Sequence, residues 1–321
     1  MGERKLQVAL YWGSACGGCD VAVLDTNEFL LDLAALADIR LWPIATDGKY
    51  RDVEAMADQE LDLTIFSGAV RNSENEKMAR LLRRKSKLLV AFGSCAHLGG
   101  IPGLANLVEL EEILATAYLN NPSIEPGNVT VPGPHSQAGG HDLEIPRLYP
   151  RVYKLDRIVE VDYFVPGCPP APAQVKAVLL AVASGDLPAR RSVVGASDRA
   201  VCDECGRHKS EKMVKQFYRP WQIIQKPEEC LLEQGIPCAG SATRGGCGVR
   251  CPGSGMPCRG CYGPLPSVKD QGAKIISALS SIIDSRQPEE IERILDGVPD
   301  LVGLAYRFGL PASLLERRFG P

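Results

Sequence analysis

The chain has 321 residues, and its 36 lysines and arginines are nearly balanced by 39 aspartates and glutamates. A net charge of −3 gives no indication of nucleic-acid binding, and the length allows two domains. No stretch approaches the roughly 20 apolar residues of a membrane span, and no signal-peptide or twin-arginine motif precedes the first apolar run, so we expect a cytoplasmic protein.

Cysteine is the most informative residue type in this chain. A reducing cytoplasm keeps thiols free, so metal binding or redox chemistry explains the twelve cysteines better than disulfides do. Four of them are spread over the first 168 residues, and the other eight lie between Cys202 and Cys261. This uneven distribution predicts an N-terminal domain over residues 1–190 and a C-terminal domain over residues 191–321.

The first half alternates between strands and helices, which is typical of a parallel sheet. Apolar runs predict strands at residues 7–12, 39–45, 61–69, 87–95 and 158–168. Helical spacing of apolar residues predicts helices at residues 21–38, 72–85, 108–119 and 171–184. We therefore expect an α/β domain with a flavodoxin-like parallel sheet that helices cover on both faces.

Cysteines follow three of these predicted strands. Cys16 and Cys19 come after the first strand, Cys95 ends the fourth and Cys168 ends the fifth. Since the carboxyl ends of parallel strands meet at one edge, we expect the four thiols to converge. Glycines flank each of them and allow backbone amides to approach an anionic ligand such as an iron–sulfur cluster. The alternatives are a structural zinc site, or buried cysteines that act only as small apolar residues.

The region after residue 200 lacks this pattern, and proximity in sequence divides its cysteines into two sets. The first set is Cys202, Cys205, Cys230 and Cys238, and the second is Cys247, Cys251, Cys258 and Cys261. The second set lies in glycine- and proline-rich sequence with little apolar content, so we expect a ligand to organise it. Two zinc sites are the alternative, although three complete sets favour clusters that form a path for electrons.

Amphipathic patterns near the C-terminus predict three further helical segments. They cover residues 268–285, 288–298 and 301–319. Packing against the cluster-bearing domain and docking of a partner subunit both account for these patterns, so the two interpretations stay open.

Three motifs, ACGGCD, GSCAHLGGIPG and VPGCPPAP, resemble the small, electron-transferring subunit of nickel–iron hydrogenases. The order of the C-terminal cysteines extends this resemblance to nearly the whole chain. The resemblance implies a proximal 4Fe–4S cluster held by Cys16, Cys19, Cys95 and Cys168. It also implies a distal 4Fe–4S cluster on the set that begins at Cys202 and a medial 4Fe–4S cluster on the set that begins at Cys247.

Two departures from the periplasmic enzymes of that family are informative. Cys202 stands where those enzymes have histidine, and Cys251 stands where they often have a residue that is not cysteine. We therefore expect four irons in the medial cluster and cysteine ligands throughout. The segments CDVAVLD, LLEQGIPC and MPCRGCYGP are most similar to the cytoplasmic, methyl-viologen-reducing branch, which is also called F420-non-reducing.

The resemblance implies a function in electron transfer with no catalytic residue on this chain. Dihydrogen would be split in a separate nickel–iron large subunit, and electrons would pass through three 4Fe–4S clusters to a further iron–sulfur subunit. That branch couples to heterodisulfide reductase in methanogenesis, and all-cysteine ligation suits acceptors such as ferredoxin or flavin. The alternatives are the deazaflavin-reducing branch, the sulfur-reducing branch, and a zinc or iron–sulfur binding module outside the hydrogenases.

A related subunit of respiratory NADH dehydrogenase resembles the first half but carries one cluster and adjacent cysteines. Cys16 and Cys19 are separated, and eight further cysteines follow Cys168, so we prefer the hydrogenase resemblance. His97 near Cys95 would tune a cluster, carry protons or serve only a structural role. We expect His135 and His141 to be solvated residues of a Pro/Gly-rich insertion.

Overall fold

The computed structural model describes residues 4–125, 127 and 130–316. Its strands are β1 (Leu6–Trp12), β2 (Ala37–Leu41), β3 (Leu61–Ser67), β4 (Val70–Asn72), β5 (Ser86–Phe92), β6 (His135–Ala138), β7 (His141–Glu144), β8 (Leu148–Tyr153) and β9 (Tyr163–Val165). Its α-helices are α1 (Gly18–Leu24), α2 (Phe29–Leu36), α3 (Tyr50–Ala55), α4 (Ser73–Lys85), α5 (Gly93–Leu98), α6 (Leu110–Tyr118), α7 (Pro172–Ser184), α8 (Val201–Glu204), α9 (Arg250–Gly253), α10 (Gln271–Ser280), α11 (Pro288–Leu295) and α12 (Leu301–Ala305).

Five of the strands form a parallel sheet in the order β2-β1-β3-β5-β9. This order is the flavodoxin-like one, in which the connection reverses direction after β1. The last residues of four strands lie side by side, since Trp12 pairs with Ser67, Ser67 with Phe92, and Phe92 with Val165. The predicted α/β fold is therefore confirmed, and the loops after β1, β5 and β9 leave the sheet at one edge.

Both faces of the sheet are buried, as expected for a parallel sheet. Val8 and Leu10 point into one apolar core together with residues of α7. Ala9 and Tyr11 point into a second core together with residues of α4. This alternation along β1 fixes the sheet between two helical layers.

A third apolar core lies in the C-terminal region and contains residues of α10, α11 and α12. It explains the amphipathic patterns near the C-terminus, because the apolar faces of these helices pack on one another and on Phe217. Residues 317–319 of the last predicted helix lie outside the described part of the chain. Within that part, no helix has both the length and the apolar character that crossing a bilayer requires.

The structure corrects several predicted boundaries. The helix predicted over residues 21–38 is split into α1 and α2, and Asn27 between them has a positive φ of 54°. The strand predicted over residues 39–45 ends at Leu41, because the backbone N–H groups of Ala45 and Thr46 turn back to the Trp42 carbonyl. The strand predicted over residues 158–168 is reduced to β9.

The insertion around residue 140 is more regular than predicted. β6 and β7 pair as an antiparallel hairpin, with Ala138 opposite His141 and His135 opposite Glu144. All residues of the hairpin are exposed, so both histidines are solvated as expected, but they lie on strands and not in an irregular loop.

The C-terminal region packs on the edge of the sheet from which the cysteine loops leave. The Ser94 hydroxyl donates to the Cys261 carbonyl oxygen at 2.5 Å, and the Tyr262 hydroxyl donates to Gln174 Oε1 at 2.8 Å. The backbone N–H of Gly100 donates to the Phe308 carbonyl oxygen at 3.0 Å. These bonds place the second set of C-terminal cysteines next to the loops after β5 and β9.

Candidate cluster-binding sites

The first four cysteines converge at the carboxyl edge of the sheet. Cys19 lies in α1 after β1, Cys95 lies in α5 after β5, and Cys168 follows β9. The thiols are close enough to influence one another, because burial first and then the charges of Cys95, Cys168, Asp20 and Cys16 raise the pKa of Cys19. The structure thus brings together the residues that the strand-end argument predicted.

Two glycines hold the backbone directly against these sulfurs. A Cβ at Gly93 would lie 2.4 Å from Cys19 Sγ, and one at Gly100 would lie 2.5 Å from Cys95 Sγ. Both glycines have a positive φ, of 82° and 61°, which side chains other than that of glycine rarely adopt. A cradle of four thiols against bare backbone fits a bulky, anionic iron–sulfur group.

Burial raises the pKa of Cys19, Cys95 and Cys168 and keeps these three thiols protonated in the absence of a ligand. Burial and the charges of Cys168 and Cys16 raise the pKa of Cys95 to about 12. Since iron binds the thiolate, loading of this site must displace protons, and uptake of iron is expected to depend on pH.

The first C-terminal set also converges. Burial raises the pKa of Cys202 to about 12, the charges of Cys238, Cys230 and Cys205 add to the rise, and Lys209 opposes it. A Cβ at Gly240 would lie 2.9 Å from Cys202 Sγ, so backbone again approaches a sulfur without an intervening side chain.

The second C-terminal set lies in largely irregular structure. Within it, burial raises the pKa of Cys261 to about 12, and the charges of Cys251 and Cys247 contribute to the rise. Burial raises the pKa of Cys258, and the charge of Cys238 from the first C-terminal set and then that of Cys261 add to the rise. The short helix α9 is the regular element that this segment contains, which agrees with the expectation that a ligand organises it.

Two contacts join the three sets. The backbone N–H of Cys258 donates to Cys238 Sγ at 3.2 Å and connects the two C-terminal sets. The Ser94 hydroxyl donates to the Cys261 carbonyl oxygen at 2.5 Å, and the Cys168 and Cys261 side chains interact electrostatically, so the second C-terminal set is connected to the sheet edge. The second set therefore lies between the other two.

All twelve cysteines are free thiols in the structure. Among the described residues, no group of three or more His, Cys, Asp or Glu side chains is arranged to hold a single metal ion. The all-cysteine composition of each set matches the thiolate ligation of iron–sulfur clusters.

Sequence reasoning missed a buried polar network behind Cys19. Asp20 is 3% exposed, and its carboxylate accepts hydrogen bonds from Trp42 Nε1 at 2.9 Å and from Ser67 Oγ at 3.2 Å. Trp42 lies just past the end of β2 and Ser67 ends β3, so the network ties three loops of the sheet edge together. Trp42 lies inside the strand predicted over residues 39–45, so nothing in the sequence indicated this role.

His97 lies beside the first set but forms no hydrogen bond at its Nδ1, which is buried. Its ring packs on Phe164 with 4.8 Å between ring centroids. Burial and the charges of Lys154 and Arg244 lower the pKa of His97 to about 3, so its imidazole is neutral at pH 7. The exposed His135 and His141 lie on the hairpin of β6 and β7.

Comparison with known proteins identifies the family. Residues 16–182 match the family described as NADH ubiquinone oxidoreductase, 20 Kd subunit. The iron–sulfur subunit of the F420-non-reducing hydrogenase of Archaeoglobus profundus is 41% identical over 319 residues, which cover 98% of this chain and 98% of that protein. The corresponding F420-non-reducing hydrogenase subunit from Methanothermobacter marburgensis is 36% identical over 98% of this chain and 97% of that protein.

A solved structure shares the fold. A chain of the [NiFeSe] hydrogenase from Desulfovibrio vulgaris Hildenborough superposes with a TM-score of 0.51, covering 88% of this chain and 98% of that chain at 17% identity. The match of the family model ends before Cys202, whereas the two relatives span both cysteine-bearing regions. The chain therefore belongs to the family of the iron–sulfur subunits of F420-non-reducing hydrogenases.

Proposed function

We propose that this chain is the electron-transferring subunit of a nickel–iron hydrogenase and carries three 4Fe–4S clusters. The observation that carries the proposal is the convergence of twelve free cysteines into three sets of four, with contacts between successive sets. The site that activates dihydrogen lies on a separate large subunit, so the chain acts as a component of an oxidoreductase complex.

The residues of this chain bind the clusters and set their order. Cys16, Cys19, Cys95 and Cys168 hold the proximal cluster. The medial cluster is held by Cys247, Cys251, Cys258 and Cys261, and the distal one by Cys202, Cys205, Cys230 and Cys238. When bound, these groups supply one-electron transfer at potentials that charge, hydrogen bonds to sulfur and exposure determine.

The contacts between sets support a linear order. Cys168 lies next to Cys261, and Cys238 lies next to Cys258. Electrons that leave the large subunit would enter at the sheet edge and reach the set that begins at Cys202 last. This order places the electron acceptor near the first C-terminal set.

We propose that the acceptor is a further iron–sulfur subunit linked to heterodisulfide reductase. The proposal rests on similarity to subunits with the F420-non-reducing name, which does not favour the deazaflavin-reducing or sulfur-reducing alternatives. We also propose a cytoplasmic location, where a reducing environment keeps cysteines available as cluster ligands.

The test uses the complex purified without oxygen, with the large subunit present. We expect about twelve irons and a similar amount of acid-labile sulfide per copy of this chain. Cys19→Ser is expected to abolish reduction of the remaining clusters by dihydrogen, as followed by electron paramagnetic resonance. Dithionite, which supplies electrons from solution, should still reduce those clusters.

Cys205→Ser is the matched control, because it makes the same chemical change in the set proposed to be distal. Dihydrogen should still reduce the proximal and medial clusters in this variant. Zinc without sulfide in the wild-type chain would refute the proposal, and so would normal reduction by dihydrogen in Cys19→Ser.

A further inference from the structure

A small cavity in the C-terminal region is lined by three arginines. Its volume is about 100 Å³, and Arg219, Arg259 and Arg307 all contribute to its wall. The cavity lies between the loop that contains Tyr218 and Pro220 and the end of α12, away from the sheet.

The positive charge in this cavity is not balanced. No carboxylate of the described residues lies within 4.0 Å of any of the three guanidinium groups. Asp300 is the acidic residue of the wall, and its Oδ1 already accepts from the backbone N–H of Gly303 at 2.7 Å. Three guanidinium groups and one carboxylate leave a formal charge of +2 around the cavity.

The arginines also have unused hydrogen-bonding capacity. Arg307 Nε is buried and has no hydrogen-bond partner among the described residues. The Arg219 guanidinium lies 5.8 Å from the centroid of the exposed Trp221 ring. A buried donor without a partner is costly, so a ligand that accepts from it gains affinity.

Arg259 is half-buried in the wall of the cavity, together with Arg219 and Arg307. Like charges around one cavity repel one another, and an anion between them would remove that repulsion.

We propose that this cavity binds a tetrahedral dianion of the phosphate or sulfate type. Guanidinium groups match such oxyanions with paired N–H donors, and a charge of −2 neutralises the wall. A cavity of about 100 Å³ has room for a single small oxyanion.

The location gives this site a functional context. Arg259 lies between Cys258 and Cys261, and Pro237 precedes Cys238. An anion in the cavity would therefore lie close to both C-terminal cysteine sets. The first of these sets is the one proposed to face the electron acceptor.

The test is isothermal titration calorimetry of inorganic phosphate into the anaerobically purified, cluster-loaded full chain. Chloride keeps the ionic strength constant, and acetate serves as the monoanionic comparison. We expect saturable binding with one phosphate per chain and at least tenfold weaker binding in Arg307→Gln and in Arg219→Gln. Phosphate should raise the midpoint of thermal unfolding of the wild type and not that of these variants.

Arg293→Gln is the matched control, since Arg293 is exposed on α11 and pairs with Glu290 at 3.6 Å. It should bind phosphate as the wild type does. The proposal is overturned if phosphate binding does not saturate, if acetate binds as tightly as phosphate, or if the loss in Arg293→Gln equals that in Arg219→Gln. If Arg307→Gln does not fold, Arg219→Gln alone decides the result.

Discussion

Replacement of Gly93 by alanine tests how the sheet edge holds the first cysteine set. The added Cβ would lie 2.4 Å from Cys19 Sγ and 3.5 Å from the Gly167 carbonyl oxygen. Cys19 has little room to move away, because it is 8% exposed and its Sγ already lies 3.8 Å from the Phe92 carbonyl oxygen. The substitution therefore strains the backbone and displaces a proposed iron ligand.

The magnitude follows from two terms. A residue other than glycine in the left-handed conformation costs about 1–2 kcal/mol, and Gly93 has a φ of 82°. Forcing extra volume into a packed site costs about 1–3 kcal/mol. We expect Gly93→Ala to lower the free energy of unfolding by about 2–5 kcal/mol, which a domain of ordinary stability survives.

The measurements are denaturant unfolding, iron and sulfide analysis, and electron paramagnetic resonance. Gly93→Ala should fold but lose the proximal signal and about four of about twelve irons. Gly185→Ala is the control, because Gly185 also has a positive φ, of 72°, yet its added Cβ would meet no atom within 4 Å. It should lose only the backbone term of about 1–2 kcal/mol and keep all of its iron.

The comparison of the two variants decides the matter. Equal stability and equal iron content in Gly93→Ala and Gly185→Ala would show that contact with Cys19 Sγ has no consequence. The account of Gly93 as part of the cradle would then be wrong, whatever the size of the common backbone effect.

Two further predictions concern a cluster ligand and a surface hydrogen bond. Cys251→Ser should convert the medial cluster to a three-iron form, visible by electron paramagnetic resonance and as a loss of about one iron; an unchanged four-iron signal would exclude Cys251 as a ligand. Tyr149 donates to Glu76 Oε2 at 2.6 Å and, with Arg80, lowers the pKa of Glu76 below 4.5. A lowered folded-state pKa stabilises above the unfolded value, so Tyr149→Phe should cost about 0.5–1 kcal/mol at pH 7 and less below pH 4.5. Urea unfolding at pH 7 and pH 4 measures this difference, and an equal cost at both would contradict the assignment.

The sheet and the first cysteine set could be predicted because both follow from short-range patterns. Apolar runs locate β1, β3 and β5, and the rule that parallel strands end at one edge then brings Cys19, Cys95 and Cys168 together. No side-chain contact had to be known for this step.

The features that sequence could not predict depend on contacts between distant residues. The bond from the Trp42 side chain to Asp20 joins residues that are 22 positions apart. The excess positive charge around Arg307 could not be predicted from the sequence either, because arginine side chains are usually paired or exposed. Only the fold shows that Arg307 Nε is buried and has no hydrogen-bond partner among the described residues.

The spatial order of the cysteine sets differs from their order in the chain. The set that begins at Cys202 comes second in sequence, yet contacts at Cys168 and Cys238 leave it at the far end from the sheet. The chain therefore runs outward first and then returns, so that Cys261 closes against the loop after β9. Because the returning segment is largely irregular, its position depends on hydrogen bonds to the α/β half. Ser94 bonds to Cys261, and Gln174 bonds to Tyr262. Ser94 and Gln174 therefore anchor the proposed medial site.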